Sequence, residues 1–277
     1  MGAAVLRPAS KSVINPFLDE YTRQEIEFFG LKEFKKTYGE TTIEVKTLLM
    51  PTGQVEDFLN RNFRICQMPY PHLFINGTMW MSLSYMEAQS HYVPIQEAHG
   101  AVAVLGLGLG YYVLRIMQAP EVDSVDVYEL EPAVVEYFTE CFGDRPGFDK
   151  LSFIEGDARE LMVGKEYDYA YSDIYLKLLG DEFETDITRF QGSNDIGMYH
   201  PWGIERVFLD AMVQYGMAPA TLTMPTSMRA FFKFYLTTEI DLGRGCIFKP
   251  SELPKLPLDR EFVEEVLDRL EWPIWEL

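Results

Sequence analysis

The amino-acid sequence predicts an α/β fold: a doubly wound, mostly parallel sheet, preceded by a small segment that contains a β-hairpin. Three observations support this prediction. Short apolar runs alternate with helical stretches between residues 101 and 172, a glycine cluster follows the first of these runs, and an Asn-Gly pair lies between residues typical of strands. Alternation of strands and helices at this spacing implies right-handed crossovers, and therefore a parallel sheet with helices on both faces.

The N-terminal part is predicted to be a small mixed segment. Residues 18–37 have the composition of a helix, whereas residues 42–50 and 72–82 are rich in strand-forming side chains. The second of these β-rich stretches contains Asn76-Gly77, the strongest short-range signal for a hairpin. We therefore expect two units, an N-terminal segment at 1–93 and an α/β domain at 94–277.

The α/β domain begins with residues 101–105, a continuous apolar run of the kind that forms a buried parallel strand. Beyond residue 175 the pattern weakens, and the polar stretch 180–195 is interpreted as a loop. The other elements are predicted as strands at 124–128, 151–154 and 167–172, helices at 111–119, 132–141, 202–215 and 258–271, and a helix or strand at 228–238.

Composition excludes several classes of protein. The 277 residues include 24 basic and 43 acidic side chains, a formal net charge of −19, and 47% of the residues are hydrophobic. Such a chain can bury a large core, and its charge disfavours binding to nucleic acid, because that affinity comes mostly from Lys and Arg on phosphates. No apolar run is long enough to span a membrane. Three widely spaced cysteines indicate reduced thiols, so we expect a cytoplasmic protein.

The most informative segment is the glycine loop, AVAVLGLGLGYY at residues 101–112. A predicted strand leads directly into Gly106-Leu107-Gly108-Leu109-Gly110, and a predicted helix follows. Glycines at alternate positions allow a sharp turn and the close approach of a ligand to the backbone. A dinucleotide-binding loop requires its third glycine one position later, where Tyr111 stands, so the spacing disfavours a dinucleotide cofactor. The alternative interpretation is a plain turn.

Acidic residues follow the next three predicted strands, where the polar groups of a nucleotide would lie. Glu129-Leu130 ends the second strand and suits ribose hydroxyls, Asp157-Ala158 follows the third and suits an adenine amine, and Asp173 follows the fourth. Each has a simpler interpretation alone: Glu129 as a solvated strand end, and Asp173 as a helix N-cap. The order of the features along the chain nevertheless favours a nucleotide site.

These residues resemble the class I S-adenosylmethionine-dependent methyltransferases, and within that superfamily the spermidine-synthase-like branch. The resemblance covers roughly residues 72–175, and includes the hairpin LFING at 73–77 and LRIMQAPEVDSVDVYELE at 114–131. It implies a Rossmann-like methyltransferase fold, and S-adenosylmethionine or its decarboxylated form as the cofactor. It also implies cofactor contacts from Gly106, Leu107, Gly108, Gly110, Glu129, Leu130, Asp157, Ala158 and Asp173.

The sequence departs from the spermidine-synthase pattern at positions that bear on function. Leu109 stands where that family has the loop aspartate for the amine end of the cofactor, and Trp80 where a glutamine is expected. Three functions therefore stay open. The first is a methyltransferase acting on a small molecule or a protein. The second is an aminopropyltransferase that uses decarboxylated S-adenosylmethionine, and the third is a non-catalytic nucleotide-binding or interaction protein.

The acceptor is expected at the carboxyl ends of the first and fourth predicted strands. Asp173 matches the acid that serves as the base in aminopropyl transfer, so it is the first candidate to orient or deprotonate an acceptor, with Tyr175 and His91 as second candidates. The acidic stretch that follows could attract a cationic small molecule, or could be solvated surface. Its members are Asp181, Glu182, Glu184 and Asp186.

Two further expectations concern metals and assembly. His72, His99 and His200 show no metal-ligand spacing, so no metal site is predicted. The apolar hairpin segment Met79-Trp80-Met81 could bury a homodimer interface, or pack into the core.

Overall fold

Two main β-sheets organise the computed structural model, which describes residues 15–50, 52–56, 58, 62–65, 67–175 and 182–205. The helices are α1 Asp19–Phe29, α2 Tyr85–Ser90, α3 Tyr92–Glu97, α4 Tyr111–Ile116, α5 Pro132–Phe142, α6 Ala158–Leu161 and α7 Glu182–Ser193. The strands are β1 Glu33–Tyr38, β2 Thr41–Met50, β3 Gly53–Glu56, β4 Asn62–Ile65, β5 Met68–Ile75, β6 Thr78–Ser82, β7 Gly100–Leu105, β8 Val122–Glu129, β9 Leu151–Glu155, β10 Glu166–Ser172 and β11 Asp195–Pro201.

The larger sheet has the order β11-β10-β7-β8-β9, and all of its strand pairs are parallel. Buried side chains of α4 and α5 pack on one face, and those of α6 and α7 pack on the other. The chain winds outward from β7 through β8 to β9, then returns to the other side of β7 with β10 and β11. This confirms the predicted doubly wound α/β fold, with its topological switch point between β7 and β10.

The smaller sheet is antiparallel, with the order β1-β2-β5-β6. Its β5–β6 hairpin turns at Asn76-Gly77, and both residues have positive φ angles (50° and 79°), as a type I′ turn requires. The predicted hairpin is therefore confirmed. The sheet docks on α5, where the Phe34 and Tyr137 rings lie 5.3 Å apart, and its buried residues join the core of the parallel sheet.

Two sequence predictions are wrong. The helix predicted over 18–37 ends at Phe29, because Gly30 adopts a left-handed conformation (φ 75°) and its N–H closes the last turn on the Ile26 carbonyl at 3.0 Å. Glu33–Tyr38 is instead a strand paired with β2. The stretch interpreted as a loop, 180–195, contains helix α7 over its described part. Strand β11, which follows that helix, has no counterpart among the predicted elements.

Other predictions stay untested. The predicted helix at 202–215 extends past the last described residue, 205, and the predicted elements at 228–238 and 258–271 lie outside the described residues. The expected boundary at residue 93 falls within α3, and the division into two units remains a prediction. Within the described ranges, no helix is long and apolar enough to cross a lipid bilayer.

Candidate functional site

The candidate site lies at the carboxyl edge of the parallel sheet, where β7 and β10 part. The Asp173 N–H donates to the Leu105 carbonyl at 2.9 Å, which extends the pairing of these strands by one residue. A Cβ atom added to Gly106 would lie 2.6 Å from the Asp173 carbonyl oxygen. The glycine loop and Asp173 are therefore in direct contact at the switch point, where open α/β sheets bind their ligands.

The glycine loop adopts a backbone that its three glycines permit. Gly106, Gly108 and Gly110 have φ angles of 92°, 54° and 83°. Gly110 is also the residue from which α4 begins, and a Cβ there would overlap the Phe138 ring of α5. The glycines therefore let the loop backbone pack closely against Asp173, Met81 and Phe138.

Glu129, at the end of β8, is bonded into this loop. One of its carboxylate oxygens accepts from the Leu107 N–H and the other from the Glu131 N–H, both at 2.8 Å. Burial raises the pKa of Glu129. Hydrogen bonds from backbone N–H groups, including those of Leu107 and Gly108, lower this pKa because they stabilise the charged carboxylate. A carboxylate can accept about four hydrogen bonds, and the two short bonds from Leu107 and Glu131 occupy two of its acceptor positions. Leu130, beside it, is 71% exposed.

The third predicted cofactor position lies next to Glu129. The Gly156 N–H donates to the Glu129 carbonyl at 2.8 Å, and Asp157 follows directly. One Asp157 carboxylate oxygen accepts from the Arg159 N–H at 2.8 Å, which caps helix α6, and Ala158 is buried. The structure thus brings the predicted glycine loop, ribose acid and adenine-site pair to one edge, at the ends of three adjacent strands.

A polar cluster stands beside Asp173. Glu87 lies in α2 and His91 follows that helix, so the two side chains share a face at i, i+4 spacing. The distance between their side chains, from His91 Nδ1 to Glu87 Oε2, is 3.6 Å. Ligand-type atoms of Glu87, His91 and Asp173 all lie within 4.8 Å of one another. Two of the predicted catalytic residues, Asp173 and His91, are therefore brought together.

The protonation of this cluster is set by burial. Burial raises the pKa of Asp173 to about 7, and burial together with the Asp173 charge raises the pKa of Glu87 to about 8. Burial lowers the pKa of His91 to about 4, so its ring is neutral near pH 7. In the part of the chain that the structure describes, no Lys or Arg forms an ion pair with Glu87 or Asp173. No cation among these residues therefore stabilises the charged form of either carboxyl, which agrees with their raised pKa values.

Tyr175, the third predicted catalytic residue, is placed differently. Its hydroxyl lies 3.4 Å from both the Ser172 Oγ and the Tyr199 hydroxyl, which bond each other at 2.7 Å. Burial raises the pKa of Tyr175. The charge of Asp186 also raises this pKa, whereas the charge of Arg159 lowers it. The Tyr175 hydroxyl therefore lies beside the side-chain hydroxyls of Ser172 in β10 and Tyr199 in β11.

The acidic stretch after Asp173 is not the open acidic loop that the sequence suggests. Asp186 lies in α7, is 2% exposed, and pairs with Arg159 at 2.8 Å, while Glu182 pairs with the same guanidinium at 3.1 Å. These two charges are therefore already matched by a cation of the chain. The Asp181 residue and the Glu184 side chain lie outside the described part.

The hairpin also reaches the glycine loop. The Leu109 N–H donates to the Met81 sulfur at 3.1 Å, and Met81 is the side chain that a Cβ at Gly108 would strike. Met79 and Trp80 are 59% and 58% exposed, so they do not pack in the core of the described chain. The hairpin therefore covers one side of the loop through Met81.

Glu87 is the site residue that sequence reasoning missed. Its i, i+4 relation to His91 is visible in the sequence, but the sequence predicts neither the helix at Tyr85–Ser90 nor its proximity to Asp173. That proximity depends on how α2 packs against the end of β10, which no local pattern specifies.

Comparison with known proteins gives similarity at the level of structure. No protein-family model matches the sequence, and no curated protein matches it. Similar solved structures include a DhpI–SAM–HEP complex (18% identity, 41% of this chain, 52% of that chain, TM-score 0.33). A spermidine synthase with the transition-state analogue AdoDATO matches at 13% identity over 59% of this chain and 53% of that one, with a TM-score of 0.37. The spermidine synthase from Thermotoga maritima matches at 13% identity over 60% of this chain and 61% of that one, with a TM-score of 0.35.

The chain thus spans about half to three fifths of the length of these solved proteins. At TM-scores this low the similarities do not assign it to a family, and its function has to be inferred from the site itself.

Proposed function

We propose that this chain is a transferase that binds S-adenosylmethionine or a related sulfonium nucleoside. One observation carries the proposal: the Glu129 carboxylate is hydrogen-bonded to an alternate-glycine loop that abuts Asp173 at the switch point of the sheet. This arrangement offers an acid for ribose hydroxyls, a close backbone surface for the body of the cofactor, and a second acid on the side where the transferred group would emerge.

The chemistry that such a site must supply is modest. The sulfonium carbon is already electrophilic, so holding the acceptor in line with it accounts for much of the rate acceleration. Asp173, with its pKa near neutrality, would orient the nucleophile or accept its proton. Methyl transfer to a small-molecule or protein acceptor is the primary candidate reaction.

Aminopropyl transfer is the second candidate, and the charge of the site favours it. Within the described residues, no Lys or Arg forms an ion pair with Glu87, Glu129 or Asp173. Decarboxylated S-adenosylmethionine lacks the carboxylate and so carries one more net positive charge, which such an acidic edge would attract. Leu109 and Trp80 weigh against this candidate, because they replace the polar residues expected for that reaction.

Calorimetric titration tests the proposal directly. The full chain is titrated with S-adenosylmethionine, its decarboxylated form and 5′-methylthioadenosine. Stronger binding of the carboxylated compound supports methyl transfer, and stronger binding of the decarboxylated compound supports aminopropyl transfer. Failure of a folded chain to bind any of the three contradicts the proposal. Binding without transfer to any tested acceptor would leave the non-catalytic nucleotide-binding function as the explanation.

A substitution at Glu129 locates the bound nucleotide. Glu129→Gln removes the charge and some acceptor capacity, so we expect binding to weaken by about 1–3 kcal/mol, or roughly 5- to 150-fold. Glu136→Gln, on the exposed face of α5, is the matched control and should bind as the unmodified chain does. Equal affinity in both variants would remove Glu129 from the site.

A further inference from the structure

We propose that Glu87, His91 and Asp173 form a binding site for a divalent transition-metal ion. The proposal goes beyond the transferase function and does not depend on it. The three side chains come from α2, the residue that follows α2, and the residue that follows β10. Their ligand-type atoms lie within 4.8 Å of one another. No nucleotide is needed to assemble them.

The spacing suits a common ion. Nitrogen and oxygen ligands lie about 2.0–2.2 Å from zinc, so two ligand atoms on one ion are separated by at most about 4.4 Å. One ligand-type atom from each of the three residues lies within 4.8 Å of the other two, which is close to this limit. The three donors also come from two separate parts of the chain, so an ion would link α2 to the end of β10.

The His91 ring is prepared to act as a ligand. Its Nδ1 donates to the Glu87 backbone carbonyl at 2.7 Å, which leaves the lone pair of the neutral ring on Nε2. Metal-bound histidines typically donate their other ring N–H in this way, which fixes the ring and its tautomer. His91 is 4% exposed, and the Tyr111, Tyr112 and Tyr171 rings surround it at centroid distances of 5.5 to 5.7 Å.

Buried polar atoms without partners are a second, independent observation in favour of a cation site. The Glu87 Oε2 atom is buried without a hydrogen-bond partner among the described residues, and so is the hydroxyl of Tyr171, which is 1% exposed. The Tyr171 ring packs against His91, with 5.6 Å between the two ring centroids, so this residue borders the cluster. Buried polar groups are nearly always paired, and buried carboxylates are paired or bind metal.

The donor set indicates the class of ion. One imidazole nitrogen and two carboxylate oxygens suit Mn²⁺, Fe²⁺ or Zn²⁺, whereas Mg²⁺ and Ca²⁺ prefer oxygen donors alone. Three protein ligands would leave coordination positions open for water or for an acceptor atom. An ion there would favour the deprotonated form of that acceptor, and Asp173 would then act on the acceptor through the ion.

Metal binding is measured on the full chain without any cofactor, so failure of the transferase proposal would not affect the result. The chain is first treated with EDTA and dialysed. Mn²⁺ and Zn²⁺ are then titrated by calorimetry, and the Mn²⁺ complex is examined by pulsed electron paramagnetic resonance. We expect one ion held by this cluster, with a nitrogen coupling from His91 in the Mn²⁺ spectrum.

Variants connect the ion to the cluster. Glu87→Gln and Asp173→Asn keep the side-chain shape, and each should weaken metal binding by about tenfold or more, while His91→Gln should also abolish the nitrogen coupling. Glu136→Gln is the control, and circular dichroism establishes that each variant is folded. The proposal is overturned if the unmodified chain binds neither ion, or if the folded Glu87→Gln and Asp173→Asn variants both bind as tightly as the unmodified chain.

Discussion

Substituting Gly106 by alanine tests the contact on which the site depends. The new Cβ would lie 2.6 Å from the Asp173 carbonyl oxygen, in a backbone with a φ of 92°. A positive φ costs a non-glycine residue about 1–2 kcal/mol, and overpacking adds about 1–3 kcal/mol. Neither segment can retreat easily, because the Gly106 and Asp173 N–H groups are both bonded to neighbouring strands, at 2.8 and 2.9 Å. We therefore expect a loss of about 2–5 kcal/mol in the free energy of unfolding.

Gly164→Ala is the matched control, since Gly164 also has a positive φ (68°) but nothing lies within 4 Å of an added Cβ. It should cost only the backbone strain, about 1–2 kcal/mol. Urea unfolding at constant temperature, followed by circular dichroism, measures both variants. The difference between them isolates the contact with Asp173. If Gly106→Ala cost no more than Gly164→Ala, the close approach of the loop to Asp173 would be incorrect.

Two further predictions concern buried polar pairs. Arg159→Ala leaves Asp186, which is 2% exposed, without its cation, so unfolding in urea should show a loss of about 3–5 kcal/mol, partly recovered by adding Asp186→Asn. A loss no larger than that of an exposed ion pair would contradict the buried pairing. Tyr111→Phe removes a buried hydroxyl that donates to Glu25 at 2.6 Å, and thermal unfolding should show a loss of about 1–3 kcal/mol. An unchanged midpoint would refute that contact.

Four of the five parallel strands, β7 to β10, were predictable from the sequence, because a glycine or an acid follows or ends each of them. The strand mistaken for helix is harder to recognise. In Glu33–Tyr38 only Phe34 and Tyr38 face the core, and the polar residues between them mimic a helical surface. Only the left-handed Gly30 reveals where the helix ends. A glycine is permissive in many contexts, so its conformation cannot be inferred from its identity.

The misses near the site have a different cause. Strand Asp195–Pro201 is buried mainly at its last residues, where Tyr199 and His200 lie against neighbouring elements, so its sequence lacks a regular alternation. The acids of α7 look like an open charged surface until Arg159, 27 residues before Asp186, is placed beside them. Glu87 is a similar case, because only the folded chain places it in α2 close to Asp173, which is distant in sequence.

The strand order also sets a length scale. Asp173 follows β10 and Glu129 ends β8, with β7 between them. Neighbouring strands lie about 4.8 Å apart, so these two acids stand at positions separated by about 10 Å along the sheet edge. A ligand that contacted the backbone at both strand ends would therefore have to span about 10 Å, the width of two strand spacings.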